Sequence, residues 1–389
     1  MKIGLFTDAY APAVSGVVTS VQMLSDGLEK LGHTVYIFTV QMKEKTVDEK
    51  NVVRFKGYTV WLKGLTQYKL ASKLNRKARQ IKRKFDLDII HIHTEFSMGK
   101  LGTKVAKKMN IPYVYTFHTM YEEYLPYISK YMDKHYHESF FNILRRMFVN
   151  PISDNAKTII VPTKKVYNQA ENYKLVGDIQ IVPTGLELDK FNIEISNDDI
   201  KQIKEKYNLT NKLIFLSLGR VSKEKSIDSV IKSYALSQKG KNSVLLIVGD
   251  GPHMSELKKL VNKLEIEQQV VFTGFIKNDE IVKIYKASDV FVNASTSETQ
   301  GLTYIEALAS SLPILVQKDE CLEGVVEDGV NSILFDGEIE LASKMDIIYE
   351  NPDILRNIRC NCAKSVEKYS KMCYASSVEE IYKKVVSNR

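Results

Sequence analysis

Residues 289–309, DVFVNASTSETQGLTYIEALA, hold the turn on which the reading of the whole chain rests. The run 289–294 is short and apolar, as a buried strand is, and Tyr304, Ile305, Ala307, Leu308 and Ala309 recur at the spacing of one helix face. Between them stand Glu298 and Glu306, on either side of Gln300 and Gly301. A strand that turns directly into a helix is the unit of α/β folds, and such turns are where those folds hold ligands. Two readings of this turn compete. Thr303 and Glu306 match a T-x-x-E capping box, which satisfies the free amides of a helix start without any ligand. In the other, the amides of Gly301 and Leu302 stay open and face a phosphate, which a helix N-terminus favours. Only the second gives Glu298 a task.

Outward from this turn the same alternation repeats. Apolar runs that read as strands, KIGLFTDAY (2–10), TVYIFTV (34–40), LDIIHIH (87–93), PYVYTFH (112–118), KTIIVPT (157–163) and IQIVPTG (179–185), are separated by helical segments. A polar stretch over 191–212 precedes a second series: LIFLSLGR (213–220), SVLLIVGDG (243–251), QVVFTGF (269–275), the strand quoted above, LPILVQ (312–317) and NSILFD (331–336). This is the pattern of parallel sheets covered by helices. The expected fold is α/β, two Rossmann-like doubly wound domains facing across a cleft. Residues 1–190 form the first and 191–370 the second, with a helix in 371–389 expected to pack back towards the first. At 389 residues and 44% hydrophobic content the chain has material for two cores. No run approaches the roughly 18 to 20 apolar residues of a membrane span, and Asp8 interrupts the N-terminus too early for a signal peptide. The expected location is the cytosol or the cytosolic face of a membrane. Cys321, Cys360, Cys362 and Cys373 lack zinc-type spacing and read as reduced and structural.

Four clusters of unusual residues lie where strands end. Gly16, in SGVVTS (15–20), opens a tight turn that lets a ligand approach backbone amides; the plainer reading is a turn with Thr19 or Ser20 as N-cap. There is no G-x-G-x-x-G fingerprint, which argues against a nicotinamide or flavin. His118 follows a strand directly and opens a polar segment, so it is a candidate hydrogen-bond donor or general base. His91 and His93 alternate along a strand and share a face, and with Glu95 they fit structural or substrate-facing roles better than a metal site. Asp86 and Asp88 form a D-x-D, but at the start of a strand, the wrong end for a ligand. Arg220 and Lys225 bring two cations to a helix start, which opposes the helix dipole unless an anion sits between them; Glu224 is the alternative partner. Gly249, in VGDGP (248–252), marks another strand-end turn.

These residues resemble a known family. GRVSKEK (219–225), followed about seventy residues later by SETQGLTYIEA (297–307), is similar to the G-R-x-x-x-E-K and E-x-x-G-L-x-x-x-E signatures of retaining glycosyltransferases of family 4, which have the GT-B fold. SGVVTS, FHT (117–119) and LEGVVEDGVN (322–331) extend the resemblance over nearly the whole chain, and within the family it is greatest to bacterial diacylglycerol glucosyltransferases. The resemblance implies that Arg220 and Lys225 neutralise a nucleotide diphosphate as the glycosidic bond breaks. It implies that Glu306 accepts both ribose hydroxyls and that Glu298 holds hydroxyls of the donor sugar. The amides of Thr299, Gln300, Gly301 and Leu302 would bind phosphate or sugar oxygens, with Gly16 and Gly249 beside the donor and His118 touching the sugar or assisting the acceptor. The implied donor is UDP-glucose or UDP-galactose, the acceptor diacylglycerol or a glycolipid, and neither cofactor nor metal is expected. The implied reaction is front-faced, with the leaving phosphate helping to deprotonate the acceptor. Ser15, Ser226 and Ser311 stand where the family commonly has glycine.

The net charge of +8 is unevenly shared: residues 1–190 hold 29 Lys and Arg against 18 Asp and Glu, whereas 191–389 hold 26 against 29. A basic half indicates a polyanionic partner for that half. Between 62 and 84 there are nine cations and no carboxylate, preceded by Trp61, with Leu70, Leu74, Ala78, Ile81 and Phe85 at the spacing of one helix face. The expectation is that Lys69, Lys73, Arg76, Lys77, Arg79, Lys82, Arg83 and Lys84 meet an anionic membrane surface, against the plainer reading of a solvated face. A second candidate, 127–148, interleaves aromatics with cations that include Arg145 and Arg146. Nucleic acid is not expected, since no recognition motif accompanies the charge. The protein is therefore expected to be cytoplasmic and peripherally attached to the membrane. The rival functions are a soluble family 4 enzyme acting on a protein, polysaccharide or teichoic acid, and a non-catalytic protein that binds sugar nucleotides.

Overall fold

A computed structural model describes residues 1–41, 49–59, 69–118, 142–143, 145–237 and 242–388. The chain divides into two compact units, Met1–Leu186 with Lys371–Arg389, and Glu187–Ser370. The first unit contains strands β1 (Lys2–Phe6), β2 (Thr34–Val40), β3 (Val52–Phe55), β4 (Gly57–Thr59), β5 (Lys69–Ala71), β6 (Ile89–Ile92), β7 (Tyr113–Thr116), β8 (Thr158–Val161) and β9 (Asp178–Ile181). Its helices are α1 (Gly16–Lys30), α2 (Leu74–Lys84), α3 (Ser97–Met109), α4 (Asn150–Ser153) and α5 (Lys164–Asn172). Seven strands pair in the order β3-β2-β1-β6-β7-β8-β9, all parallel. Burial on both faces explains why these strands read as continuous apolar runs. Successive residues still take opposite sides: Phe6 joins Phe38, Ile90, Ile92 and Tyr115 in one core, while Ile3 and Leu5 join Ile37, Ile89 and Val114 in the other.

Two features of this unit differ from the sequence reading. The edge strand β3 lay in a segment assigned no structure. Residues 69–71, placed on the basic helix, instead pair antiparallel with β4, Tyr58 opposite Leu70. The helix starts only at Leu74, after Lys73 in a left-handed conformation (φ 53°), so Leu70 is not on its face. Ala78 and Ile81 are buried, and Leu74 and Phe85 pack against the same core.

The second unit contains β10 (Leu213–Leu218), β11 (Ser243–Val248), β12 (Val270–Gly274), β13 (Val290–Asn293), β14 (Ile314–Gln317) and β15 (Ser332–Phe335). They pair in the order β12-β11-β10-β13-β14-β15, again all parallel. Its helices are α6 (Asn197–Lys206), α7 (Ile227–Ser237), α8 (Met254–Lys263), α9 (Asn278–Ala287), α10 (Leu302–Ala309), α11 (Gly337–Glu350) and α12 (Asp353–Ser365). In both sheets the strand order reverses once, between β1 and β6 and between β10 and β13. Chain leaving two neighbouring strands there diverges to opposite sides and opens a crevice at their carboxyl ends.

The last helix, α13 (Lys371–Ser387), belongs to the first unit. It lays Tyr374, Ala375, Val378, Ile381 and Tyr382 into the core that also holds Ile3 and Leu5. A side chain at Gly27 of α1 would put its Cβ 2.5 Å from that of Ala375, so glycine there permits the close approach of the two helices. Tyr374 and Ser20 hydroxyls meet at 2.9 Å, and His33 Nε2 lies 2.8 Å from Glu379. No helix among the described residues is long and apolar enough to cross a membrane.

Candidate functional site

In the second unit the reversal point is built from the loops after β10 and β13. The backbone ladder between β10 and β11 runs past the strands: Gly219 N–H donates to Val248 O at 3.0 Å and Val221 N–H to Asp250 O at 3.0 Å. Gly249 is needed for this approach, because it has φ 131° and a Cβ there would lie 1.9 Å from the Gly219 carbonyl oxygen. Arg220 follows two residues after β10 and is exposed, and its side chain has no hydrogen bond or ion pair to a described residue. A short 3-10 turn, Lys223–Lys225, then leads into α7. The Glu224 carbonyl accepts hydrogen bonds from the hydroxyls of Ser295 (3.1 Å) and Ser297 (2.9 Å), which clamp this turn to the loop after β13. Lys225 Nζ meets Glu298 Oε1 at 2.6 Å across the same junction, with both side chains mostly shielded from water.

The helix that follows decides between the two readings of its start. Gly301 is the N-cap of α10, in the left-handed region (φ 70°), and no side chain caps the helix. The capping box is therefore absent: Thr303 already lies inside α10, and Glu306 is directed elsewhere, accepting from the Tyr285 hydroxyl at 2.9 Å. Glycine is required at 301, since a Cβ would sit 2.3 Å from the Tyr304 ring. The start of α10 is left as an uncapped, positively polarised end, suited to an anion. Burial raises the Glu306 carboxyl to about 7, opposed by the Tyr285 hydrogen bond and the nearby Lys190 ammonium. Thr299 and Gln300 lie in the loop between, Gln300 with its side chain buried.

In the first unit the loops after β1 and β6 meet at Asp8, which is almost wholly buried. Its carboxylate accepts from Thr94 Oγ1 (2.7 Å), Ser97 Oγ (2.6 Å) and Met98 N–H (3.1 Å). Burial nevertheless raises its pKa above the usual carboxylate value. Gly16 is the exposed first residue of α1, and the N-cap is Ser15, whose hydroxyl accepts from Val18 N–H at 3.3 Å, rather than Thr19 or Ser20. At the end of β7, His118 Nε2 lies 3.2 Å from His93 Nδ1. His91 is occupied by Tyr382 and Thr116 hydroxyls, each at 2.6 Å, and Glu95 accepts from the Tyr115 hydroxyl. Burial lowers all three histidines, His118 to about 4, so their rings are neutral.

The basic residues divide by environment. Lys73, Arg76, Arg79, Arg83 and Lys84 are exposed, and their side chains have no hydrogen bond or ion pair to a described residue. Lys77 Nζ donates to Ser72 O, and Lys82 Nζ to Lys108 O at the end of α3, both at 2.6 Å. Lys69 lies on β5. Arg145, expected at a membrane, is turned inward: its guanidinium donates to Tyr173 O at 2.6 Å, a carbonyl left open at the end of α5. Arg146 is exposed. Trp61, and residues 127–141 and 144 of the second basic candidate, lie outside the described residues.

Against this geometry the comparisons are specific. Residues 14–190 match the family model "Glycosyltransferase Family 4", and 199–365 match "Glycosyl transferases group 1". An alpha-monoglucosyldiacylglycerol synthase from Acholeplasma laidlawii is 40% identical over 98% of this chain and 96% of its own. The chain belongs to the family 4 glycosyltransferases. A second alpha-monoglucosyldiacylglycerol synthase, from Streptococcus pneumoniae, is 38% identical over 91% of this chain and 80% of its own. The fold is shared with HepE from Anabaena, solved in complex with UDP and glucose, at a TM-score of 0.75 and 17% identity over 99% of this chain and 100% of that one. For a family 4 glycosyltransferase the three departures from glycine have different structural meanings. Ser226 and Ser311 have positive φ, 49° and 58°, where a side chain is disfavoured, while Ser15 supplies the N-cap of α1. Tyr285, Lys190 and the paired Ser295 and Ser297 escape the sequence reading. Only the alternating serines of N-A-S-T-S give a local hint of hydroxyls facing one way.

Proposed function

We propose that this glycosyltransferase is a retaining enzyme that moves glucose from UDP-glucose to 1,2-diacylglycerol at an anionic membrane surface, forming an α-linked glycolipid. The observation that carries the reading is the 40% identity, over nearly the full length of both chains, to an alpha-monoglucosyldiacylglycerol synthase. UDP as the carrier is supported by the HepE complex. In this reading the second unit binds the nucleotide sugar and the first takes the acceptor. The bond from the anomeric carbon to the diphosphate oxygen breaks, the free hydroxyl oxygen of diacylglycerol replaces it on the same face, and the hydroxyl proton passes to the departing diphosphate. Arg220 and Lys225 meet the negative charge that grows on the diphosphate, Lys225 from a partly dehydrated setting where such a contact acts strongly. Glu298 orients Lys225 through Oε1 and offers Oε2 to sugar hydroxyls, while Glu306 accepts the ribose hydroxyls. The amides from Thr299 to Leu302 bind phosphate or sugar oxygens, with Gly249 keeping the floor low and Gly16 near the donor. His118 contacts the sugar or the acceptor.

The exposed cations of α2 support membrane attachment. Its neighbour α3 adds the exposed Lys107 and Lys108 and the half-buried Lys100 and Lys104, and neither helix contains a carboxylate. Each cation that reaches an anionic surface contributes about 1 kcal/mol, so a few suffice for reversible binding. The test is transfer of labelled glucose from UDP-glucose into diacylglycerol vesicles with and without anionic lipid. A labelled glycolipid formed faster on anionic vesicles is the expected result. Release of UDP with no lipid product would remove the acceptor assignment. Loss of vesicle binding on reversing Arg79, Arg83 and Lys84 to glutamate is expected too; unchanged binding would remove the membrane face.

A further inference from the structure

Besides the backbone N–H that donates to Phe6 O, His93 makes one ring hydrogen bond, and the surroundings of the ring set its direction. Its ring is 1% exposed and lies between two others, His91 at 4.1 Å and His118 at 5.5 Å between centroids. Nδ1 faces His118 Nε2 at 3.2 Å, whereas Nε2 is buried with no partner among the described residues. A neutral imidazole has a single N–H. If His118 donated its Nε2–H to His93 Nδ1, the proton of His93 would have to sit on Nε2, as a buried donor without an acceptor. Orphaned donors of that kind are rarer than unused lone pairs, because a buried N–H forfeits its bond to water with nothing in return. The opposite direction leaves only a lone pair unpartnered.

We infer that His93 is a positioning residue, donating Nδ1–H to His118 Nε2 and so fixing His118 as the Nδ1–H tautomer. His118 then presents a hydrogen-bond donor to an oxygen of the bound sugar or acceptor, and does not serve as a general base. This rests on the reading above that His118 touches substrate. His93 is buried and His118 half-buried, and the loss of water disfavours the charged form of both rings, consistent with a bond that holds one proton. On its other side His93 packs against the tilted ring of His91, which is itself fixed by the Tyr382 and Thr116 hydroxyls.

The test reads the proton directly. Protein labelled with 15N at its histidines, seven in all, gives long-range 1H–15N spectra in which each ring nitrogen reports whether it carries hydrogen, and His118→Gln identifies the signals of His118. The expected result is a protonated Nδ1 and bare Nε2 for His118, and the reverse pattern for His118 in His93→Phe. A protonated Nε2 on His118 in the unaltered protein overturns the inference, whether or not any variant folds. In glucose transfer, His93→Asn places an amide N–H near the lost Nδ1 and is expected to keep kcat within about threefold, while His93→Phe loses roughly tenfold or more. Equal kcat in the two variants also overturns it. Full turnover in His118→Gln would instead remove the role of His118 while leaving the tautomer as found, so the two failures are told apart.

Discussion

At the end of β1 a single carboxylate, Asp8, is enclosed by two hydroxyls and an amide from the loop after β6. At the matching end of β10 the chain presents an exposed Arg220, a Lys225–Glu298 pair that keeps some access to water, and an uncapped helix start. Both places are reversal points of parallel sheets with the same local strand order. In the first the polar groups satisfy one another and lock two loops together. In the second they are held in position by other contacts, the serine hydroxyls on the Glu224 carbonyl and the Tyr285 hydroxyl on Glu306, and keep bonding capacity in reserve. Topology therefore supplies a crevice, and side-chain satisfaction decides whether it closes as a joint or keeps groups free to bond a ligand, as proposed for the second.

That contrast can be broken experimentally. Removing the ammonium in Lys225→Ala is expected to lower kcat about 100- to 1000-fold, the effect of losing one preorganised charge contact, with circular dichroism unchanged; near-normal turnover would end the donor-site assignment. Asp8→Ala should do the reverse: a loss of about 3 kcal/mol in urea unfolding, from buried donors left without an acceptor, with UDP affinity unaltered. A comparable loss of UDP affinity would show that the first reversal point is not merely a joint.

Glu306 sharpens the contrast through pH. In the proposed role it must be ionised to accept two ribose hydroxyls, and burial raises its carboxyl to about 7. UDP affinity should rise towards about tenfold per pH unit below that value and level off above it, and Glu306→Gln should flatten the profile. Stability without ligand runs the other way. The folded state holds this proton more tightly than the unfolded one, so Glu306 costs stability as pH climbs from its ordinary value of 4.5 to about 7. The smallest effect concerns Ser311→Gly, which relieves a left-handed serine but loosens the unfolded chain, for a net gain of under about 1 kcal/mol in thermal unfolding.

Most of the sheet framework was legible because parallel strands buried on both sides leave continuous apolar runs, and Glu298, Arg220 and Lys225 stood out as charges at strand ends. Three features were not. The three-residue strand β5 has too few positions for alternation to show, and its lysine merged with the basic run that follows. Thr303 and Glu306 had the spacing of a capping box, yet Gly301 starts the helix two residues earlier through its backbone conformation, which spacing cannot reveal. Tyr285 and Glu306 are 21 positions apart, and Glu224 and Ser297 are 73. Such partners are brought together only by the fold, so no local pattern announces them.

The helix α13 has one more implication, for synthesis of the chain. Six of its residues, from Tyr374 to Val385, complete a core whose other members lie before residue 183, with the whole second unit in between. A nascent chain that has emerged through residue 370 can have finished the second unit but not the first, whose sheet is covered on that face by α1 but still lacks the C-terminal helix. Assembly on the ribosome is thus inverted with respect to sequence: the unit begun first closes last, and until it does the growing chain carries the kind of exposed surface that chaperones bind.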